Sequence, residues 1–176
     1  MRAGGPLQRR APKAKPPRAA TKVKSLPAAI RVVRRAQAAG KRVVFTNGCF
    51  DLLHRGHTRY LERARALGDL LVVAVNSDAS VRRLKGMGRP VVPSKERAEV
   101  LASLAAVDLV LVFDESNPEQ IIRSVRPQVL VKGGDWPVER IIGSDFVRGL
   151  GGKVRNLPYL KGASTSALIR RIRSAF

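Results

Sequence analysis

Two histidines separated by two residues carry the clearest chemical signal in this chain. His54 and His57 follow a short apolar segment at residues 43–45 and a turn, and a helical pattern at residues 58–64 comes directly after them. The first amide groups of a helix lack partners and the helix dipole is positive there, so this position favours anions. Side chains at positions i and i+3 share one face, so both imidazoles can donate hydrogen bonds to one phosphate. The pattern predicts charge stabilisation at phosphorus, not metal binding or acyl transfer.

Gly56 lies between the two histidines and strengthens this interpretation. A glycine has no side chain that would hold a phosphate away from the backbone. His54 and His57 are also the only histidines in the chain, which argues against a random surface distribution. We therefore treat residues 54–57 as a candidate phosphate-binding segment.

Strand-like and helical segments alternate around this motif. Apolar runs predict strands at residues 42–46, 70–75, 109–113 and 129–131, with a short fifth at 154–156, and the intervening patterns predict helices at 25–39, 57–67, 78–84, 94–106, 117–125 and 165–174. This alternation predicts an α/β fold with a doubly wound parallel sheet. Ligands bind outside the carboxyl ends of the strands in such sheets. His54, His57, Asn76 and residues 132–136 should therefore lie close together.

The charge of the chain is strongly basic, with a formal net value of +21. Residues 1–24 contain eight lysines and arginines, four prolines and no acid. Such a segment cannot bury enough apolar surface to fold alone, so we predict a disordered basic tail at 1–24 and one folded domain at 25–176. Cations on the domain suit polyanionic substrates. A nucleic-acid-binding protein is the alternative from another class, although few aromatic residues are available for base stacking.

Cysteine content and hydropathy indicate the compartment. Cys49 is the single cysteine, so no intramolecular disulfide can form. No apolar run approaches the roughly 20 residues that a membrane-spanning helix needs. We expect a cytoplasmic protein without a membrane span.

Four ordered segments resemble a known enzyme family. Residues 45–57 are similar to the signature of the cytidylyltransferase-like nucleotidyltransferases, which have a Rossmann-like fold, and residues 83–91, 131–136 and 162–166 match in order and spacing. The resemblance covers residues 25–174 and is greatest to the branch that joins ATP and heptose 1-phosphate into ADP-heptose, for lipopolysaccharide or other heptose-containing glycans. The near alternative is a cytidylyltransferase acting on glycerol 3-phosphate or another small alcohol phosphate. Relatives of that type carry Arg-Thr-Glu-Gly where this chain has residues 159–162.

The resemblance implies nucleotidyl transfer. An oxygen of the sugar phosphate attacks the α-phosphorus of ATP, and pyrophosphate leaves. Because the nucleophile is already an anion, positioning and charge neutralisation should lower the barrier without a strong base. We expect Mg²⁺ to arrive with ATP, held mostly by substrate oxygens and waters, and no metal site built from protein side chains. The resemblance also implies a homodimer or a higher homo-oligomer.

The same resemblance assigns roles to individual residues. It makes His54, His57 and Lys85 catalytic, with Lys85 on a loop that closes over the phosphates, and it places Asp51 and Lys85 against the sugar phosphate. Contacts to the nucleotide and its phosphates are expected from Thr46, Asn47, Gly48, Phe50, Gly56, Arg97, Gly133, Asp135, Trp136, Ser164, Thr165 and Ser166. Relatives usually carry threonine where this chain has Ser166. Structural roles remain open for several of these residues: a turn for Asp51, an exposed helix charge for Arg97, packing for Trp136 and helix capping for residues 164–166.

Overall fold

Five parallel strands form a single sheet in the computed structural model, which describes residues 19–134, 137–158, 160 and 162–175. The strands run in the order β3-β2-β1-β4-β5. Their bounds are β1 Val43–Gly48, β2 Leu70–Asn76, β3 Leu109–Phe113, β4 Val129–Gly133 and β5 Lys153–Leu157. The predicted α/β class and parallel sheet are confirmed.

Helices connect the strands and cover both faces of the sheet. They are α1 Ala19–Lys22, α2 Leu26–Ala38, α3 Arg55–Arg65, α4 Asp78–Lys85, α5 Ser94–Ser103, α6 Glu119–Val125, α7 Ser144–Gly149 and α8 Thr165–Ala175, with a short 3₁₀ helix at Val138–Arg140. Two hydrophobic clusters lie on opposite faces of the sheet, one centred on Phe45 and Leu130 and the other on Val44 and Val73. Burial on both faces explains the almost continuous apolar runs of the central strands.

The order of the strands determines where a ligand can bind. The chain builds outward from β1 to β2 and β3, and then returns to place β4 on the other side of β1. Val44 pairs with Val129 and Phe45 with Leu130 across this reversal. A crevice opens at the carboxyl ends of strands at the switch point, the position where the winding of the sheet reverses. The space between β1 and β4 is therefore the expected binding position.

The predicted elements agree with the structure except at their ends and in one region. Strands β1 and β4 extend two residues beyond their predicted carboxyl ends, which brings Asn47, Gly48, Lys132 and Gly133 into the sheet. The 3₁₀ helix and α7 were not predicted, because residues 137–149 mix polar and apolar side chains without a helical period. Within the described residues, no helix is both long and apolar enough to cross a membrane.

The predicted boundary of the basic tail is wrong for its last residues. Residues 19–22 form the single turn α1, and Val23 makes a parallel bridge with Val110 on the edge strand β3. The backbone amide of Lys24 donates to the carbonyl of Val110 at 2.9 Å. The Lys22 ammonium donates to the carbonyls of Leu104 at 3.2 Å and Val107 at 2.7 Å. Backbone pairing with an exposed sheet edge orders this segment despite its lack of apolar periodicity. Residues 1–18 lie outside the described residues.

Two truncations should separate the docked segment from the rest of the tail. Deleting residues 1–18 should leave the free energy of unfolding unchanged, whereas deleting 1–24 should lower it by about 1–3 kcal/mol, because each lost hydrogen bond contributes about 0.5–1.5 kcal/mol. Urea unfolding of both variants beside the full chain measures the difference. Equal stability of the two truncated forms would contradict a structural role for residues 19–24.

Candidate active site

A cavity of about 570 Å³ opens at the carboxyl ends of β1, β2 and β4. Its walls come from the turn after β1, the start of α3, the end of α4 and the segment that leads into α8. The volume lies within the range typical of small-molecule sites, about 300–1,000 Å³. The cavity therefore occupies the position that the strand order predicts for a ligand.

The histidine pair lies at the first turn of α3 and faces this cavity. His54 is the N-cap residue, and its Nδ1 accepts a hydrogen bond from the Gly56 amide at 3.2 Å. Because Nδ1 accepts, the ring proton of the neutral imidazole resides on Nε2, which is left to donate to a ligand. The rings of His54 and His57 stack with centroids 3.9 Å apart. The structure thus brings the two histidines together as predicted.

His57 is held neutral and lacks a protein partner at one nitrogen. Its ring packs against that of Phe50, with centroids 5.3 Å apart. Burial, reinforced by the nearby charges of His54 and Lys85, lowers the pKa of His57 to about 4. Its Nδ1 is buried and has no hydrogen-bond partner among the described residues. A buried polar atom without a partner is unfavourable, so the position of this ring is not explained by a hydrogen bond from Nδ1 to the described protein.

If the phosphates of a nucleoside triphosphate bind beside His57, as the sequence predicts, their binding should draw a proton into the site. Negative phosphates beside His57 raise its pKa, so between about pH 4 and 6.5 the free protein is neutral there and the complex becomes protonated. Proton uptake should increase as the pH falls from 6.5, and affinity should rise with it. Calorimetric titration of ATP at pH 6 in two buffers of different ionisation enthalpy measures the uptake. His57→Asn corrects for protons taken up by ATP itself, and equal uptake by this variant and the wild type would contradict the assignment.

Gly56 permits close packing between α3 and the segment before α8. A Cβ atom at this position would lie 2.9 Å from Nδ1 of His54, closer than real contacts allow, and 3.0 Å from the Cβ of Ala163, which is unusually tight. The hydroxyl of Thr165 donates to the carbonyl of Leu52 at 3.2 Å, which makes a second link between these segments. A side chain at position 56 would collide with this packing, so glycine is required there for a steric reason as well as for the predicted approach of a phosphate.

The three hydroxyl residues before and within α8 occupy different positions. Ser164 and Thr165 line the cavity, and the Ser164 hydroxyl caps the helix by accepting from the Ala167 amide at 3.1 Å. Ser166 is exposed in the first turn and is not part of the described cavity wall. Capping and ligand contact are compatible for Ser164, since a hydroxyl oxygen has two acceptor positions.

Asp51 lines the cavity, but its carboxylate is bound by protein donors, so its predicted contact with the sugar phosphate stays a prediction. Its side chain is 1% exposed and forms an ion pair with Nε of Arg89 at 2.6 Å. It also accepts from the backbone amides of Val91 at 2.8 Å and Val92 at 3.0 Å. Because both carboxylate oxygens are occupied, Asp51 anchors the segment after α4 and orients Arg89, which lines the cavity.

Arg97 is a structural residue, which corrects both its predicted phosphate contact and the alternative of an exposed helix charge. It is 2% exposed, and all three guanidinium nitrogens donate to the protein. Nε donates to the Val92 carbonyl at 2.8 Å, and the two terminal nitrogens donate to the Cys49 carbonyl at 2.5 Å and to Asp78 at 2.7 Å. A guanidinium satisfied in this way ties the turn after β1 to α4 and α5. It is not part of the described cavity wall.

The side chain of Thr46 also lies inside the protein instead of contacting a nucleotide. The residue is fully buried in β1, and its hydroxyl is 2.6 Å from the hydroxyl of Tyr60 on α3. Tyr60 in turn donates to the carbonyl of Val131 on β4 at 3.3 Å. This network links α3 to both central strands, so the hydroxyl of Thr46 fixes the helix that carries the histidines.

The remaining predicted residues of the turn after β1 border the cavity. Asn47, Gly48 and Phe50 all contribute to its wall. Phe50 has a left-handed backbone conformation with φ of 46°, which is uncommon for a residue with a side chain. A Cβ on Gly48 would approach the Phe50 ring to 3.0 Å, so the small residue makes room for this turn.

Lys85 and Gly133 line the cavity from opposite sides. Lys85 is the exposed last residue of α4, not a loop residue as predicted, and Gly86 follows it with φ of 84°. A positive φ ends the helix at a position that glycine tolerates best. Asp135 and Trp136, predicted to contact ribose and base, lie outside the described residues.

Several cavity residues were not among the predicted site residues. They include Tyr60, Leu84, Arg89 and Ile142. Asn76 and Lys132 also line the cavity, as their position at the ends of strands predicted. Ile142 belongs to the region whose structure was not predicted. Among the described residues, no group of three or more histidine, cysteine, aspartate or glutamate side chains could hold a metal ion.

Two solved structures share the α/β fold of this protein. A lipopolysaccharide core biosynthesis protein from Thermoplasma volcanium superposes with a TM-score of 0.58 at 27% identity, covering 70% of this chain and all of that one. Pantoate-beta-alanine ligase from Francisella tularensis superposes with the same TM-score at 11% identity, covering 86% of this chain and 76% of the ligase. The second likeness concerns the fold alone.

Sequence comparison identifies the family. The bifunctional protein HldE of Geotalea uraniireducens is 52% identical over 87% of this chain and 31% of its own length. HldE of Halorhodospira halophila is 56% identical over 90% of this chain and 33% of its own length. The chain thus spans about a third of the length of these curated relatives. The family model described as cytidylyltransferase-like matches residues 45–171. This protein therefore belongs to the cytidylyltransferase-like family.

Proposed function

We propose that this protein is an adenylyltransferase that joins ATP and a heptose 1-phosphate to give ADP-heptose and pyrophosphate. The observation that carries the proposal is the stacked pair His54 and His57 at the start of α3, inside the cavity at the switch point. Identity of 52–56% to HldE proteins over most of the chain supports the heptose substrate. The product would serve lipopolysaccharide or other heptose-containing glycans.

The chemistry requires charge stabilisation more than proton transfer. An oxygen of the acceptor phosphate forms a bond to the α-phosphorus, the bond from that phosphorus to the bridging oxygen breaks, and pyrophosphate leaves with the electron pair. The Nε2 proton of His54, the imidazole of His57, the first amide groups of α3 and the ammonium of Lys85 are the donors that would neutralise the developing charge. Mg²⁺ would enter as part of the substrate MgATP.

A cytidylyltransferase acting on glycerol 3-phosphate or another small alcohol phosphate is the second candidate. It is favoured by the family description that the chain matches. The base contacts predicted for Asp135 and Trp136 lie outside the described residues, so the choice between the bases depends on the relatives. A wrong base that leaves buried groups unpaired costs about 1–3 kcal/mol, or roughly 10- to 100-fold in kcat/KM.

Pyrophosphate release with crossed substrates tests the proposal. We expect the highest kcat/KM with ATP and heptose 1-phosphate when ATP and CTP are each paired with heptose 1-phosphate and glycerol 3-phosphate. A higher value for CTP with glycerol 3-phosphate would replace the heptose assignment and leave the role of the histidines intact. A homodimer or higher homo-oligomer and a cytoplasmic location stay predictions, and light scattering would test the first.

A further inference from the structure

A second, smaller cavity adjoins the main one at the switch point. It has a volume of about 180 Å³, and four of its seven wall residues are apolar. It shares Asn47, Pro118, Lys132 and Ile142 with the wall of the main cavity. Arg140, from the 3₁₀ helix, contributes the other basic side chain to its wall. The two spaces are therefore adjacent, with Lys132 at their common boundary.

Lys132 is half-buried, and none of the ion pairs among the described residues includes it. The pairing of Val44 with Val129 and of Phe45 with Leu130 aligns Lys132 with Asn47 on β1. Its ammonium donates to Oδ1 of Asn47 at 3.5 Å, a long and neutral contact. Burial lowers the pKa of Lys132, although the nearby Cys49 opposes this effect. An anion at this position would stabilise the charged ammonium and restore its pKa.

The other cations around the cavity have different environments. Lys85 lies near His57, because its charge contributes to the lowered pKa of that histidine. The charge of Arg89 is balanced by its ion pair with the buried carboxylate of Asp51. Lys132 lies on β4, across the switch point from the end of β1 that leads to the histidines. The cavity thus has one group of phosphate donors around His54, His57 and Lys85, and a separate cation at Lys132.

We propose that the acceptor's phosphate binds in a subsite at the boundary of the two cavities, where the ammonium of Lys132 contacts it. This inference rests on the proposed function, because two anions must be held in one cavity for nucleotidyl transfer. The α3 donors take the triphosphate, and the attacking oxygen must approach from the side opposite the leaving pyrophosphate. Lys132 would neutralise the repulsion between the acceptor phosphate and the triphosphate, and Asn47 and Arg140 would border the sugar phosphate.

The test compares Lys132→Met with Lys153→Met. Lys153 is an exposed lysine at the beginning of the neighbouring strand β5, far from the carboxyl ends of the strands, so it controls for the loss of a charge. We expect Lys132→Met to raise KM for heptose 1-phosphate at least tenfold and to change KM for ATP less than threefold. The control should change neither value. Lys132→Arg, which keeps the charge, should recover part of the affinity for the acceptor.

Binding measured without turnover provides an independent readout. Calorimetry should show that Lys132→Met binds MgADP as tightly as the wild type, and thermal unfolding should show an intact fold. Lys132→Gln replaces the methionine variant if that variant is insoluble. An equal rise in both KM values, or an unchanged KM for the acceptor, would overturn the proposal.

The experiments give different results if the role proposed for Lys132 is wrong and if the proposed heptose substrate is wrong. The subsite concerns a phosphate that heptose 1-phosphate and glycerol 3-phosphate share, so the same shift in KM is expected with whichever acceptor the wild type uses. Preference for glycerol 3-phosphate over heptose 1-phosphate, with a shifted KM in Lys132→Met, would reject the heptose assignment and support the subsite. If the wild type uses neither acceptor and calorimetry detects no binding of either, the subsite is rejected.

Discussion

Replacing His57 by alanine should lower kcat at least 100-fold and leave the fold intact. The imidazole faces the cavity at the positive end of α3, where it would contact the phosphates. Removing one well-placed donor to a developing charge typically lowers kcat by about 10²–10³. The stability should change little, because Nδ1 of His57 makes no hydrogen bond to the described protein. Single-turnover pyrophosphate release and urea unfolding measure the two quantities.

A conservative variant distinguishes lost chemistry from lost packing at this position. His57→Asn keeps a side-chain donor but loses the ring that stacks on His54 and contacts Phe50. It should retain more activity than His57→Ala if donation to phosphate is the main role. Activity of His57→Ala within threefold of the wild type would refute the catalytic assignment.

The second large effect concerns stability and involves Arg97. Arg97→Met should lower the free energy of unfolding by about 2–4 kcal/mol, because it leaves two carbonyls without a donor and removes the ion-pair partner of Asp78, whose carboxylate is partly solvated. The loss should also loosen the turn after β1, because the Cys49 carbonyl belongs to that turn. Urea unfolding gives the free energy, and the midpoint should shift without a large change in the slope.

Arg123→Met is the matched control for this substitution. Arg123 pairs with Glu119 one helical turn away on the exposed face of α6. Such pairs contribute about 0.3–0.5 kcal/mol, and the guanidinium also lies 4.8 Å from the centroid of the Phe146 ring, a contact worth about 0.5–1 kcal/mol, so this variant should lose no more than about 1.5 kcal/mol. If Arg97→Met instead left stability unchanged and raised KM for ATP, Arg97 would contact phosphate and the structural assignment would be wrong.

Local sequence patterns were sufficient for the frame of this molecule. The apolar runs of β2 and β3 are long enough to indicate buried strands, and the alternation with helices predicted the parallel sheet. The position of His54 and His57 between a strand and a helix start predicted the phosphate-binding segment before any geometry was known. These features depend on residues close together in the chain, so the sequence contains them directly.

Tertiary structure decided the roles of the charged residues. Asp51 and Arg97 are polar residues near a phosphate-binding motif. The sequence could not indicate that Asp51 pairs with Arg89, 38 residues away, or that Arg97 donates to the Cys49 carbonyl, 48 residues away. A charge that is removed from water must be paired to avoid a large free-energy cost. Which group pairs with it depends on the side chains and backbone that the fold brings near.

The environment of Lys132, like the partners of Asp51 and Arg97, could be seen only in the tertiary structure. The sequence by itself determined the parallel sheet, the helix start that carries the histidines and the family. Only the tertiary structure showed that Asp51, Arg97 and the hydroxyl of Thr46 stabilise the turn and helix around the site, and that Lys132 borders two cavities without a described carboxylate partner. The physical reason is that hydrophobic periodicity is a local property, whereas the pairing and solvation of a charge depend on neighbours that are distant in sequence.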